Sequence, residues 1–209
     1  MQRTDRSRNL ILDAADTTFR ELGFAGVSME EIAQRAGLTR KTVYNLFASK
    51  EEIALRLAAR VEARYDPAYR ARIAANEAAL AMLEDVLLES ARWCLANPTI
   101  APLALAGPAG KPSSNPPSDR PSLHGLVSDL LVLGQRQGVI RKDEEPDIMS
   151  KVLLGAYAQT MLYALSGGPF QKERGIKYLL RLIVEGIGVQ NRAAGQGPPQ
   201  RKKTPKPKK

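Results

Sequence analysis

The chain has 209 residues, an aromatic content of 5% and a formal net charge of +9. Its single cysteine, Cys94, excludes an intramolecular disulfide and a cysteine-based metal cluster, so we expect a reducing, cytoplasmic compartment, with no metal and no cofactor. The N-terminus is polar and no apolar run reaches the roughly 18 residues of a membrane span, so we expect neither a signal peptide nor a membrane partner.

The excess of positive charge is unevenly distributed. Residues 1–65 are only slightly basic, residues 66–189 are balanced, and residues 190–209 contain lysine and arginine but no acidic residue. The overall charge is therefore mainly a property of the C-terminal tail. Proline and lysine alternate there without large apolar residues, which predicts a disordered basic tail over 191–209.

Residues 28–52, SMEEIAQRAGLTRKTVYNLFASKEE, contain three helix starts in close succession. Ser28 with Glu31 has the spacing of a capping box, and Ser49 begins another. Gly37 is suited to end the first helix because it adopts a left-handed conformation without a Cβ clash. Thr39 is the expected N-cap of a second short helix, so the spacing predicts two short helices joined by a sharp turn.

The second helix presents hydrogen-bonding and cationic groups and no carboxylate of its own. Such a face suits the major groove of DNA, where base edges offer donors and acceptors. We therefore predict a helix-turn-helix. Capped short helices also occur in helical proteins that never contact DNA, so the pattern alone leaves that alternative open.

The longer segment Ile11–Ile53, ILDAADTTFRELGFAGVSMEEIAQRAGLTRKTVYNLFASKEEI, resembles the tetracycline-repressor (TetR) family of transcriptional regulators. The matching motifs are F-x-E-x-G-F, S-M-x-x-I-A-x-x-A-G and T-x-Y-x-x-F-x-S-K-E. The resemblance implies a phosphate contact by Lys50, dimerisation through the last two long helices and a ligand cavity in the C-terminal domain. The predicted DNA-binding residues are Ser28, Thr39, Arg40, Lys41, Thr42, Tyr44, Asn45 and Lys50.

Apolar periodicity and breaks predict the remaining helices. A basic arm over residues 1–8 precedes the first helix, and a Pro-, Gly- and Ser-rich loop is expected over 106–122. Pro67 is expected to separate two helices. Besides the two short helices, the expected helices are Arg8–Leu22, Ser49–Tyr65, Ala68–Ala96, Leu123–Gln137, Pro146–Leu165 and Phe170–Val189.

The last two predicted helices are apolar over much of their circumference, which favours a partner subunit as their cover. Their packing within a single core is the alternative. An unknown small-molecule effector is expected by analogy with the family. The candidates to line its cavity are Trp93, His124, Tyr157, Met161 and Tyr163, each of which also suits an ordinary core.

The single histidine and the lack of nucleophile, metal or phosphate-loop motifs argue against an enzyme. We predict an all-α homodimeric regulator of double-stranded DNA. Its predicted domains are residues 1–48 for DNA binding and residues 49–190 for ligand binding and dimerisation. Repression from a palindromic operator, relieved by the effector, is the expected mode. An architectural DNA binder that relies on the tail, and a helical adaptor without DNA function, are the alternatives.

Overall fold

The computed structural model describes residues 3–106, 122–168 and 172–187. These residues form helices and no β-strand, which confirms the all-α prediction. The predicted loop and basic tail lie outside the described residues, apart from the loop's two end residues. The helices are α1 Arg3–Leu22, α2 Met29–Arg35, α3 Arg40–Leu46, α4 Lys50–Ala74, α5 Ala79–Ala96, α6 Ala101–Leu105, α7 Leu123–Arg136, α8 Pro146–Leu165 and α9 Lys172–Ile187.

The first three helices and the start of α4 form an N-terminal head around one apolar cluster. Ile11, Ala15 and Phe19 recur every fourth residue on α1 and are all buried. The cluster continues along α4 to Leu57, so the core of the head extends past the predicted boundary at residue 48. The head therefore shares α4 with the rest of the chain.

The three predicted N-caps are present. Ser28 accepts a hydrogen bond from the backbone N–H of Glu31 at 3.2 Å, and Thr39 accepts one from Thr42 at 3.2 Å. Ser49 caps α4 in the same way. Between α2 and α3, Gly37 has a φ of 65°, in the left-handed region that glycine adopts without strain. Local sequence signals thus mark where the two short helices begin and where the chain turns between them.

Three predicted helix limits are wrong, namely the start of the first helix, the end of α4 and the start of α5, which begins at Ala79 instead of Ala68. The first helix begins at Arg3, so most of the expected basic arm is helical. Helix α4 continues through Pro67, where a break was expected, and ends at Ala74. Pro67 removes one backbone hydrogen bond, but it lies on the exposed side of the helix, where water can satisfy the freed carbonyl.

The actual break between α4 and α5 is centred on Asn76, which has a φ of 55°. The side chain of Gln137, at the end of α7, donates to the backbone oxygen of Glu77 at 2.7 Å. Its own oxygen accepts from the N–H of Ala79 at 2.9 Å. A distant side chain therefore stabilises this turn, which explains why the local sequence did not reveal it.

Helices α4 to α9 form a second apolar cluster, the body. Every fourth residue of α8 from Met149 to Met161 is buried in it. The opposite side of α8 exposes Ile148, Val152 and Tyr163, and α9 exposes Tyr178 and Leu182. Of the helices in the described ranges, none has both the length and the apolarity needed to cross a membrane.

Candidate nucleic-acid interface and ligand cavity

Helix α3 has one buried and one exposed side. Val43 is fully buried in the head cluster and anchors the helix, while Leu46 packs against the cluster's edge. The exposed residues include Lys41 and Asn45. At the helix start, the hydroxyls of Thr39 and Thr42 lie 2.8 Å apart and share a hydrogen bond. This face combines hydroxyl, amide and cationic groups within two turns of one firmly anchored helix.

Arg40 is paired with an acidic residue that the sequence did not indicate. Its guanidinium lies 2.7 Å from the carboxylate of Glu30 on α2, and it stacks over the ring of Tyr44 at 5.4 Å from the centroid. All three side chains remain exposed, so the pair is screened by water and weak. The position of Arg40 on α3 is as predicted, but its charge is partly compensated by Glu30.

Lys50, predicted to face a phosphate, is directed into the head. Its ammonium donates to the backbone oxygens of Phe24 and Val27, at 2.9 Å each, and lies 4.6 Å from the centroid of the Phe24 ring. These groups belong to the turn between α1 and α2. In this structure Lys50 therefore ties the start of α4 to that turn, and Ser28 is likewise occupied as the N-cap of α2.

The first turns of α1 lie beside α3. Thr4 and Ser7 line one cleft together with Thr42 and Asn45. The neighbouring arginines Arg6 and Arg8 are not part of the cleft lining. This arrangement extends the polar face of α3 onto α1. The sequence did not indicate the contact, because it depends on how the two helices cross.

The body contains a cavity between α4, α5, α6 and the start of α7. About 390 Å³ of space is free of protein atoms, including its open mouth. The lining is mostly apolar, with the polar side chains Glu62, Tyr65 and Ser90 among it. The complete lining is Ala58, Val61, Glu62, Tyr65, Ser90, Trp93, Cys94, Ala104, Leu105 and Leu123.

Glu62 is the acidic group of this cavity. Its carboxylate accepts a hydrogen bond from the backbone N–H of Leu123 at 3.3 Å, which links α4 to α7. Burial raises the pKa of Glu62 above its ordinary value, and the Leu123 N–H partly opposes this effect. Burial also raises the pKa of the Cys94 thiol to about 11, so this thiol is unreactive at neutral pH.

Trp93, one of the five predicted ligand residues, lines this cavity. The other four do not line it. Tyr157 and Met161 are buried in the body cluster, and Tyr163 is 52% exposed on α8. The Nε2 atom of His124 lies 2.9 Å from the hydroxyl of the buried Ser150 and 3.3 Å from Asp147. The sequence did not indicate Glu62, because four separate helices create its cavity.

A capped short helix with an exposed polar face, joined to a helical body with a cavity, defines the fold as a helix-turn-helix head on a helical body. Residues 11–57 match the family model described as bacterial regulatory proteins of the tetR family. The resemblance stated from the sequence is thus confirmed for this N-terminal segment.

Solved structures share this fold over most of the chain. Thermus thermophilus FadR, a TetR family transcriptional repressor in complex with lauroyl-CoA, is 24% identical with a TM-score of 0.72, covering 91% of this chain and 100% of its own. RolR in complex with resorcinol is 17% identical with a TM-score of 0.66, covering 90% and 91%. Bacillus subtilis FadR in complex with stearoyl-CoA is 19% identical with a TM-score of 0.62, covering 86% and 98%. No curated protein sequence matches the chain.

Proposed function

We propose that the protein binds double-stranded DNA with sequence specificity by placing α3 in the major groove. The single observation that carries this proposal is the exposed polar face of α3, anchored from behind by the buried Val43. Lys41 and Asn45 are the best placed to reach base edges, and Thr39, Thr42 and Tyr44 to contact the backbone. Arg40 joins them once its weak pairing with Glu30 opens.

We assign Lys50 and Ser28 a supporting role in the same surface. Both side chains form hydrogen bonds that hold α2 and α4 in place. They therefore affect the affinity for DNA indirectly, by maintaining the structure of the head. We place the DNA-binding domain at residues 1–48, supported by the first two turns of α4, and the ligand-binding and dimerisation domain at 49–190.

We further propose a homodimer formed through α8 and α9. The outward side of these helices exposes large apolar residues, which a single chain leaves in contact with water: Ile148, Val152, Tyr163, Tyr178 and Leu182. A two-fold dimer would present two copies of α3 to one duplex, so the operator would be a palindrome. The protein would act as a repressor by occupying that operator.

A small molecule in the body cavity would release the DNA. Trp93 lines the cavity and also packs against the apolar cluster of the head, and α4 belongs to both parts. Arg60 of α4 pairs with Asp13 of α1 at 2.6 Å. A ligand that binds more tightly to one conformation of these contacts shifts the protein toward that conformation. If the head is then positioned differently, the protein releases the DNA. The acyl-CoA and resorcinol complexes of proteins with this fold support such a role.

Selection of bound sequences from a random DNA pool tests the proposal, with the whole chain compared with a chain ending at residue 190. We expect both chains to select the same palindrome, and footprinting to show two protected half-sites. Loss of sequence preference on removal of the basic tail would instead establish the protein as an architectural DNA binder. If neither chain binds DNA, the alternative of a helical adaptor without DNA function remains.

A further inference from the structure

The chemistry of the body cavity limits which ligands it accepts. Its walls are mainly apolar, supplied by residues such as Val61, Leu105 and Leu123, so the body of the ligand must be apolar as well. Even with its open mouth included, the space is only about 390 Å³, which favours a short ligand over a long chain.

The charged group in this lining is Glu62. A carboxylate has acceptor sites on both oxygens, so it can keep the N–H of Leu123 and still accept a second donor from the cavity. It offers no donor when ionised, and it repels a second carboxylate or a phosphate in a space of low polarity. The hydroxyls of Tyr65 and Ser90 supply further polar contacts nearby.

We propose that this cavity binds a small apolar molecule whose head group donates hydrogen bonds, an amine or an alcohol, and that Glu62 selects it against anions. The proposal rests on the proposed function, because it assigns a ligand class to the same effector cavity. It separates this protein from relatives of the same fold that were solved with acyl-CoA thioesters, which carry anionic head groups.

The position of Glu62 also connects ligand binding to the DNA-binding head. Glu62 lies on α4, the helix whose first turns complete the head cluster, and its carboxylate holds the first residue of α7. A ligand that binds the carboxylate therefore acts directly on the hydrogen bond that connects α4 to α7. Trp93, on the facing helix α5, packs against the apolar clusters of both the head and the body, so it provides a second contact between the cavity and the head.

Trp93 is the only tryptophan in the chain, so its fluorescence reports occupation of the cavity. The test uses hexylamine, hexanol and hexanoate, which share one alkyl chain and differ in the head group. For the full-length protein we expect hexylamine and hexanol to bind about tenfold more tightly than hexanoate, as one hydrogen bond to a charged group implies.

Two variants assign the preference to Glu62. In Glu62→Gln the amide oxygen can still accept from Leu123, but the charge is lost, so the preference for hexylamine over hexanoate should fall to within about threefold. Glu144→Gln makes the same change at an exposed glutamate outside the cavity and should leave the preference intact. Ala104→Leu should fill the cavity and weaken all three compounds together.

Equal binding of hexanoate and hexylamine, an unchanged preference in Glu62→Gln, or no response of Trp93 to any of the three compounds would overturn the proposal. These results are independent of the DNA selection, so they would leave the proposed recognition by α3 standing. Conversely, if hexylamine binds with the expected preference but does not release selected DNA, the ligand class stands and effector control fails.

Discussion

Lys50→Met tests whether Lys50 supports the head from within or anchors a phosphate. Methionine keeps an apolar stem of similar length but removes the ammonium that binds the carbonyls of Phe24 and Val27. Two hydrogen bonds from a charged donor and one cation–π contact are lost, and water partly replaces them at this half-buried site. We expect a loss of about 2–4 kcal/mol in the free energy of unfolding.

That loss corresponds to a decrease of roughly 4–16 °C in the melting temperature of a chain of this size. Thermal unfolding followed by circular dichroism, without DNA, measures it. Lys41→Met serves as the matched control, because Lys41 is exposed on α3 and its removal should leave the melting temperature nearly unchanged.

The salt dependence of DNA binding should distinguish the same two variants in the opposite order, with an effect of Lys41→Met and none of Lys50→Met. Each phosphate contact contributes about 0.9 to the slope of the logarithm of the binding constant against the logarithm of salt concentration. Lys41→Met removes a cation that faces the duplex in the proposed complex, so it should lower the slope by up to that amount, whereas Lys50→Met should leave the slope unchanged. A lower slope with unaltered stability in Lys50→Met would refute our assignment and establish a phosphate contact.

Three further predictions concern other parts of the molecule. Glu30→Gln releases Arg40 and removes a negative charge beside α3, so the affinity for DNA should rise by up to about fivefold in filter binding at low salt, and an unchanged affinity would contradict this role. Val152→Glu should yield folded monomers in analytical ultracentrifugation, whereas Val132→Glu, an exposed apolar position on α7, should remain dimeric; a dimeric Val152→Glu would exclude this interface. Burial raises the pKa of Glu62 above 4.5, so just above pH 4.5 the folded state retains a proton that the unfolded state has lost. The stability of the wild type should therefore fall relative to that of Glu62→Gln as the pH rises from 4.5 through the raised pKa. An equal dependence of stability on pH in the two proteins, measured by denaturation, would contradict this.

The helix-turn-helix was predictable because local interactions mark its helix starts and its turn. The caps at Ser28, Thr39 and Ser49 each bind a backbone N–H three residues ahead, and Gly37 supplies the left-handed turn within the same stretch. Such features are visible in a single sequence without knowledge of the fold. The same holds for the apolar spacing of α1, although its start at Arg3 was missed.

Contacts between distant residues were not predictable in the same way. Lys50 binds carbonyls 23 and 26 residues earlier, and Gln137 fixes a turn about 60 residues away. Pro67 suggested a helix end, yet its exposed position made the lost hydrogen bond tolerable. The cavity of Glu62 depends on four helices, so no single stretch of sequence indicated it.

Substitutions of Thr39 measure most directly whether α3 faces a duplex. Aspartate and asparagine are both strong N-caps, so Thr39→Asp and Thr39→Asn should both preserve the cap of α3 and differ chiefly by one negative charge. On the selected DNA, we expect footprints of the asparagine variant to keep both half-sites and those of the aspartate variant to disappear. Equal protection by the two variants, with equal melting temperatures, would contradict the placement of α3 in the groove.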